Sequence, residues 1–393
     1  MSGNRRTIED LIEDISTAHG RVNLLIGAGC SVSADIPSAR GFVQTIKTQN
    51  PRAYARAKQV CGDREPGYSD CMDQLMPQQQ RNLVRDAIKK STLNWAHLGI
   101  AQLIKCGVVD RVLTTNFDPL VARACALVGE FPGIYDFAAS QTFRAGFVAD
   151  KAIFHLHGQS TGFIHLHNKK QCDNLAKQLP ELFRDCNRDR LWIVAGYSGD
   201  NDPVLKVLGK LREFSAGLYW CGLKSDPSAR VTEHLLRRHR NTYYVPNCDA
   251  DELFVRLAQG LKAFPPDFIA KPFTHMRDLL GHVPPFSLSG RDGKIDIAQA
   301  VKKHLTEQID KTEPGLRLQT CLLAGEHRQV LDEESAILKK DSEDEKLCLA
   351  WAHVIEGDHL SKTSRPDAEA HYAQAVSIKP GIHQTFNNWG NCL

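Results

Sequence analysis

The stretch Val22-Asn23-Leu24-Leu25-Ile26-Gly27-Ala28-Gly29-Cys30-Ser31, with its continuation to Phe42, decides how this chain is read. Val22 to Ile26 is a nearly unbroken apolar run, the pattern of a strand buried on both faces of a parallel sheet. Gly27-Ala28-Gly29 follows at once, and residues this small let the backbone turn sharply and bring its N–H groups close to a bound pyrophosphate. The tripeptide alone is also what an ordinary tight turn after a core strand looks like, and it lacks the third glycine of the dinucleotide fingerprint at its usual spacing. The tail shifts the balance: Ser31, then Asp35-Ile36-Pro37, then Arg40-Gly41-Phe42.

Working outward, strand-like runs recur at 108–115, 152–156, 191–195, 218–222 and 242–245, with helical patterns between them. These include Thr7 to Ala18 with Thr7 at the N-cap, a helix from about Ser38, and helices at 201–212 and 251–261. The alternation predicts an α/β fold with a Rossmann-like, doubly wound parallel sheet over residues 1–263. Residues 49–108 are mostly helical in pattern and read as an insertion lying over the glycine turn. Pro265-Pro266 and Pro284-Pro285 bracket a polar, Gly-containing stretch, so 264–294 reads as a linker. Residues 295–393 read as an α-helical C-terminal domain.

The chain has 393 residues, 42% hydrophobic and 24% charged, with a formal net charge of +3. That is ordinary for a globular protein, and the small charge gives no reason to expect direct nucleic-acid binding. No apolar run is long enough to span a bilayer and no apolar signal region follows Arg5-Arg6, so a cytoplasmic location without membrane contact is expected. The twelve cysteines include no Cys-x-x-Cys pair, which argues against a zinc ribbon and leaves most of them as small buried hydrophobes.

Three further stretches close strands with polar residues. Thr114-Thr115-Asn116-Phe117-Asp118-Pro119 ends one; Asp118 before proline is a good helix cap, whereas Asn116 has no such simple explanation. His155-Leu156-His157-Gly158 ends another. A second His-x-His, His165 and His167, raises the idea of a metal, but no carboxylate or cysteine clusters nearby; a second strand of a hairpin is the simpler expectation, and no metal is expected. Gly196-Tyr197-Ser198-Gly199 ends a third and offers another backbone-rich turn, with Asp202 before Pro203 as a cap or a ligand contact.

Taken in order, these pieces resemble the sirtuin-like family, whose opening motif is Gly-Ala-Gly-x-Ser, then Gly-Ile-Pro and a Phe/Arg pair. Here Asp35 replaces the usual glycine, the Phe and Arg are rearranged, and Gly196-Tyr197-Ser198-Gly199 resembles the divergent bacterial branch. The resemblance implies NAD as the substrate, held by Gly27, Ala28, Gly29, Ser31, Pro37, Arg40, Asp118, Gly196, Ser198 and Gly199. Asn116 is implied beside the anomeric carbon, with His157 as general base on the ribose hydroxyls; His155 is either a core histidine or a neighbour in the pocket.

The family's deacylating members carry a zinc ribbon that this chain lacks, so the resemblance implies an NAD+ hydrolase (NADase) releasing nicotinamide and ADP-ribose. By analogy with the bacterial branch it would act as an NAD-depleting effector of anti-phage defence. The alternatives are an NAD-dependent protein deacylase or ADP-ribosyltransferase, and a non-catalytic NAD or ADP-ribose sensor. Ala368, Tyr372, Ala375 and Pro380, followed by Phe386, Trp389, Gly390 and Leu393 in register, resemble tetratricopeptide repeats. Such repeats imply gating through a homo-oligomer or a protein activator, whether a phage component or a partner subunit. Because the pattern stops inside a first repeat helix, either the chain is truncated or another chain completes the array.

Overall fold

The apolar runs become a parallel sheet. In the computed structural model the described residues are 4–17, 21–140, 142–162, 165–167, 169–199, 203–284, 286–290 and 293–392. They form two compact units, 1–261 and 262–393, each with its own core.

In the first unit seven parallel strands run in the order β3-β4-β2-β1-β5-β6-β7. They are β1 Arg21–Ile26, β2 Val109–Thr114, β3 Gly133–Asp136, β4 Ala152–His155, β5 Arg190–Ala195, β6 Leu218–Cys221 and β7 Thr242–Val245. This is the doubly wound fold expected from the alternating pattern. The one strand of this sheet that the sequence reading omits is β3, on the sheet edge, where Ile134 is exposed and Gly133, Tyr135 and Asp136 are only partly buried. Register carries a functional consequence: Ile26 pairs with Thr114 and with Ala195, and Thr114 pairs with His155. Four strands therefore end on one line across the sheet, and the loop that follows each begins at the same level.

Helices cover both faces. Helix α1 (Ile8–Thr17) starts at a reciprocal cap in which Asp10 accepts from the Thr7 N–H at 2.7 Å and Thr7 Oγ1 accepts from the Asp10 N–H at 3.1 Å. Helix α6 (Trp95–Lys105) packs on α7 (Leu120–Leu127) and α11 (Ala250–Gly260). On the opposite face Leu25, Leu113, Phe154, Trp192, Val194 and Trp220 share a core with Leu175, Leu179 and Phe183 of α8 (Lys169–Cys186) and with Val204, Leu205 and Leu208 of α9 (Val204–Leu208). Alternate strand residues thus point to alternate faces.

Between β1 and α6 lie α2 (Ala39–Gln49), α3 (Pro51–Cys61), α4 (Tyr68–Met72) and α5 (Pro77–Lys89). They build a small core of their own from Phe42, Ile46, Ala53, Met72, Leu83, Val84 and Ile88, and it takes in Ala34, Ile36, Leu120 and the edge of Phe117. The inserted helices are thereby fastened to the loops after β1 and β2. The helix expected over 201–212 is shorter, α9 alone, and residues 201–202 lie outside the described residues.

The second unit is largely helical. The linker reading of 264–294 is corrected: this segment contains α12 (Asp267–Ala270), α13 (Pro272–Gly281) and the hairpin β8 (Ser287–Gly290)–β9 (Gly293–Asp296). Pro266 sits just before α12 and Pro272 at the first position of α13, so these two prolines punctuate elements instead of preventing them. Next come α14 (Ile297–Thr312), α15 (Arg317–Leu323), α16 (His327–Asp332), α17 (Glu334–Ile337), α18 (Glu343–Leu360), α19 (Arg365–Ile378) and α20 (His383–Cys392). Ala368, Tyr372 and Ala375 are buried along α19, and the Tyr372 ring lies 6.4 Å from that of Trp389 on α20. No described helix is long and apolar enough to cross a membrane.

At the N-terminal ends of the central strands, Asp110 accepts from Arg190 Nη2 at 2.9 Å and Arg21 Nη1 at 3.2 Å; Asp110 is buried and the Arg190 side chain 13% exposed, while Arg21 is 61% exposed. Asp110→Ala leaves the Arg190 charge largely buried and is expected to cost about 3 kcal/mol in urea denaturation. Arg21→Ala, removing a solvent-screened partner, should cost about 1 kcal/mol or less.

Candidate functional site

The chain runs from β1 leftward to β2 and β4, then crosses back to β5 on the other side of β1, so β1 and β5 flank the topological switch point. Doubly wound folds bind ligands in the crevice beyond the strand ends at this point. Two turns meet there. The Gly27 N–H donates to Ala195 O at 3.1 Å, and the Gly29 N–H donates to Gly196 O at 2.8 Å. A Cβ added to Gly27 would lie 2.7 Å from Gly196 O, one on Gly29 2.7 Å from Gly196 Cα, and one on Gly196 2.5 Å from Cys30 N. Gly196 also has φ of +63°. The turns interlock backbone to backbone, and only glycine allows it.

After Gly27 the chain makes a 3-10 helix, Ala28–Ala34, that carries Ser31 inward. Ser31 is fully buried, and its hydroxyl donates to Asp118 Oδ2 at 3.0 Å. Asn116 Nδ2 donates to Ser31 Oγ at 3.1 Å and to Gly27 O at 3.1 Å. Since a carbonyl oxygen only accepts, the Gly27 contact fixes which end of the amide faces inward: the NH2 is spent inside the protein and Oδ1 is the end left to a ligand. Asp118 Oδ1 accepts from the Leu120 N–H at 3.1 Å, so this carboxylate both caps α7 and holds Ser31.

Two residues of this network had no functional signal in sequence. Asn94 caps α6 by accepting from the His97 N–H at 3.0 Å, and its Nδ2 donates to Cys30 O and Ser33 Oγ, both at 2.8 Å. His97, fully buried, places Nε2 3.4 Å from Ser31 Oγ, and burial holds its basicity below the ordinary range. With the Ser31 hydroxyl donating to Asp118, the neutral ring presents Nε2–H to the oxygen. The N-cap pattern of Asn94 was readable; its second bond, to the strand-end turn, depends on tertiary contact.

The equal register of β2 and β4 sets Asn116 and His157 each two residues beyond a paired strand end. The two loops are latched together: the Leu156 N–H donates to Thr114 O at 2.8 Å, the Ser160 N–H to Phe117 O at 2.8 Å, and His155 Nδ1 to Asn116 O at 3.1 Å. Burial lowers the basicity of His155 against the opposing pull of its bond to Asn116 O, and that bond makes the ring a brace between the two loops. His157 is half-buried, one residue before Gly158 with its φ of +100°.

Residues 165–167 are not a strand. One hairpin-like bond, the Leu166 N–H to His157 O at 2.9 Å, is all that remains of that expectation among the described residues, because the segment turns its rings onto Phe117 instead. His165 and His167 stand 5.2 and 5.1 Å from the Phe117 ring. His167 Nδ1 is 2.9 Å from the Tyr68 hydroxyl of α4, tying the inserted helices to the loop after β4. Burial, reinforced by His165 and His157, pushes His167 down to about 3.

The remaining predicted residues are placed more loosely. Ala28 and Pro37 are half-buried, Gly29 and Ser198 are exposed, and Gly199 is buried with φ of +73°. Arg40 is exposed on the first turn of α2, and no hydrogen bond or ion pair described here links it to the Ser31–Asn116 network. Asp202 lies outside the described residues. Asp35 has φ of +64°, which explains why a residue tolerant of the left-handed region stands where the resembling family has glycine. A separate cavity of about 270 Å³, lined by Tyr135, Phe137, Phe143, Phe147 and Phe154, opens near the β3 edge away from these residues.

No family model matches the chain, and no curated protein matches it. Among solved structures it is similar to a Sir2 homologue in complex with NAD, at 18% identity and a TM-score of 0.40, over 66% of this chain and 95% of that one. It is also similar to a mutant Sir2 homologue with ADP-ribose, at 18% identity and a TM-score of 0.40, over 65% and 96%. A third is Sir2 bound to an acetylated peptide, at 15% identity and a TM-score of 0.37, over 66% and 100%.

Two outcomes test this geometry. Gly196→Ala is expected to cost about 3 kcal/mol, from a clash with backbone and a positive φ, whereas Asp35→Gly should stay within about 1 kcal/mol of wild type by denaturant titration. His167, at about 3 folded against an ordinary 6.5, leaves the unfolded chain binding the extra proton. Its contribution is complete above pH 6.5 and is lost as pH falls toward 3; His167→Gln should flatten the loss of stability over that window in urea midpoints taken at successive pH values.

Proposed function

We propose that the crevice beyond β1, β2, β4 and β5 binds NAD and that the chain cleaves the nicotinamide–ribose bond, with water as the acceptor of ADP-ribose. The observation that carries the reading is the pinned amide of Asn116. With its NH2 committed to Gly27 O and Ser31 Oγ, Oδ1 is oriented before any ligand arrives. Such an oxygen accepts a hydrogen bond from a water or a ribose hydroxyl beside the anomeric carbon, and a prepositioned polar group serves an oxocarbenium-like transition state without reorganisation.

The other residues fall into roles around it. Ala28, Ser198 and Gly199 offer backbone to the pyrophosphate, while Gly27 and Gly29, whose N–H groups bond to Ala195 O and Gly196 O, shape the turn that lets it approach. His157, on the neighbouring loop, is the general base for the ribose hydroxyls, a task suited to imidazole near neutral pH. Ser31 and Asp118 act through Asn116, as positioning residues. Pro37 and Arg40 form the rim, with Arg40 available to a phosphate.

The acceptor separates two readings. Water is favoured by the lack of any Cys-x-x-Cys pair and by the inserted helices fastened beside the site through Tyr68 and His167. An acyl-lysine as the acceptor would make the chain a deacylase. We infer further that α18, α19 and α20 are tetratricopeptide-like and gate the activity through self-association or a protein partner. On the analogy with the divergent bacterial sirtuin-like branch, the role is NAD depletion in anti-phage defence.

The test is nicotinamide release from NAD without peptide, on the full chain with and without candidate triggers. Wild type should release it, and Asn116→Ala and His157→Ala should each lower the rate by about 100-fold or more. Release that requires an acyl-lysine peptide would move the assignment to a deacylase. NAD binding with no release under any condition would make the chain a sensor.

A further inference from the structure

In the second unit, His327 begins α16, and Glu356 and His359 lie three residues apart on α18, a spacing that puts carboxylate and imidazole on one helix face. His327 Nε2 is 2.6 Å from Glu356 Oε2, and the His327 and His359 rings are 4.9 Å apart at 82°. One donor atom from each residue falls within 4.8 Å of the other two. His327 and Glu356 are 4% and 7% exposed. The Nδ1 of His327 has no hydrogen-bond partner, so it can carry the ring's proton when Nε2 faces a ligand. We propose that His327, Glu356 and His359 form a binding site for a divalent transition-metal ion of the zinc class.

The donor set of two imidazole nitrogens and one carboxylate oxygen suits such an ion and leaves a fourth position for water on the side of the exposed His359. Tetrahedral ligands about 2.1 Å from the metal stand roughly 3.4 Å apart, so His327 and Glu356 separate by under about 1 Å while the His359 ring swings inward. The proton that His327 Nε2 donates to Glu356 moves to Nδ1, whose lone pair is unused, and Nε2 turns its own lone pair to the metal. Arg328 now competes for the carboxylate, with Nη2 on Oε1 at 2.9 Å and Nε on Oε2 at 3.2 Å. Its side chain is 72% exposed, so it can give up Oε2 to the metal at little cost. The bound ion joins α16 to α18.

The experiment uses the full chain stripped with chelator and titrated with Zn²⁺ by calorimetry and with Co²⁺ by absorption. Wild type should bind one tight equivalent, with the Co²⁺ spectrum of a nitrogen- and oxygen-ligated four-coordinate site. His359→Ala changes an exposed residue and should keep the fold by circular dichroism, yet weaken that site by about 100-fold or more. Glu356→Gln should weaken it likewise, and Arg328→Gln should tighten it by removing the competitor. Absence of Zn²⁺ binding to folded wild type up to roughly 100 μM, or binding unchanged in His359→Ala, would overturn the site and leave the cluster as an ion-pair network.

Discussion

The contact on which the first unit depends is the one between two backbone turns, Gly27 to Gly29 after β1 and Gly196 after β5. Neither turn has room for a Cβ on the other's side, and two N–H···O bonds, Gly27 to Ala195 and Gly29 to Gly196, close the seam. Because β1 and β5 are neighbours in the sheet, the seam sits where the winding reverses, and its geometry places the 3-10 helix that carries Ser31 inward. A side chain at any of these glycines would push β1 and β5 apart at their ends and displace Ser31 from Asn116.

From that seam a buried polar network spreads through three further elements. Ser31 bonds to both Asn116 and Asp118, His97 reaches Ser31 from α6, and Asn94 ties the start of α6 to the carbonyl of Cys30. A buried polar network rigidifies a site when its groups are satisfied, since in a low-dielectric surrounding each lost bond is costly. Here the network spends the donors of Asn116 internally and commits both oxygens of Asp118, so the arrangement offers a ligand one acceptor in a fixed direction. The inserted helices add an outer layer whose own small core includes Leu120 and the edge of Phe117, and Tyr68 extends that layer to His167.

How much of this was legible in the chain follows from the range of each signal. The strands β1, β2, β4, β5, β6 and β7 announce themselves as apolar runs because a parallel sheet covered on both faces must be apolar on both. Strand β3 escaped because none of Gly133 to Asp136 is buried, whereas β7 at the other edge is largely buried and keeps its apolar pattern. The segment 264–294 looked like a linker because proline and glycine were read as breakers, yet proline at the start of a helix and glycine in a hairpin are compatible with regular structure, and α12, α13 and the β8–β9 hairpin form there. His165 and His167 show the opposite failure, since alternation suggested a strand while aromatic contact with Phe117 and a hydrogen bond to Tyr68 won.

The sequence by itself determined the doubly wound sheet, the glycine turns at its binding edge and the strand-end positions of Asn116 and His157, because each rests on local periodicity or on the size of a side chain. Only the tertiary structure decided what those residues do to one another. The shared register of Ile26, Thr114, His155 and Ala195 brings four loops to one level, and through-space contacts then orient the amide of Asn116, assign His155 to bracing and recruit Asn94 and His97. In the second unit, likewise, Glu356 and His359 share a helix face by their spacing alone, but His327 joins them only because α16 packs on α18. The physical reason is common to both: spacing along a chain fixes the direction of a side chain within its own element, while its partner from another element is set by how the two elements pack.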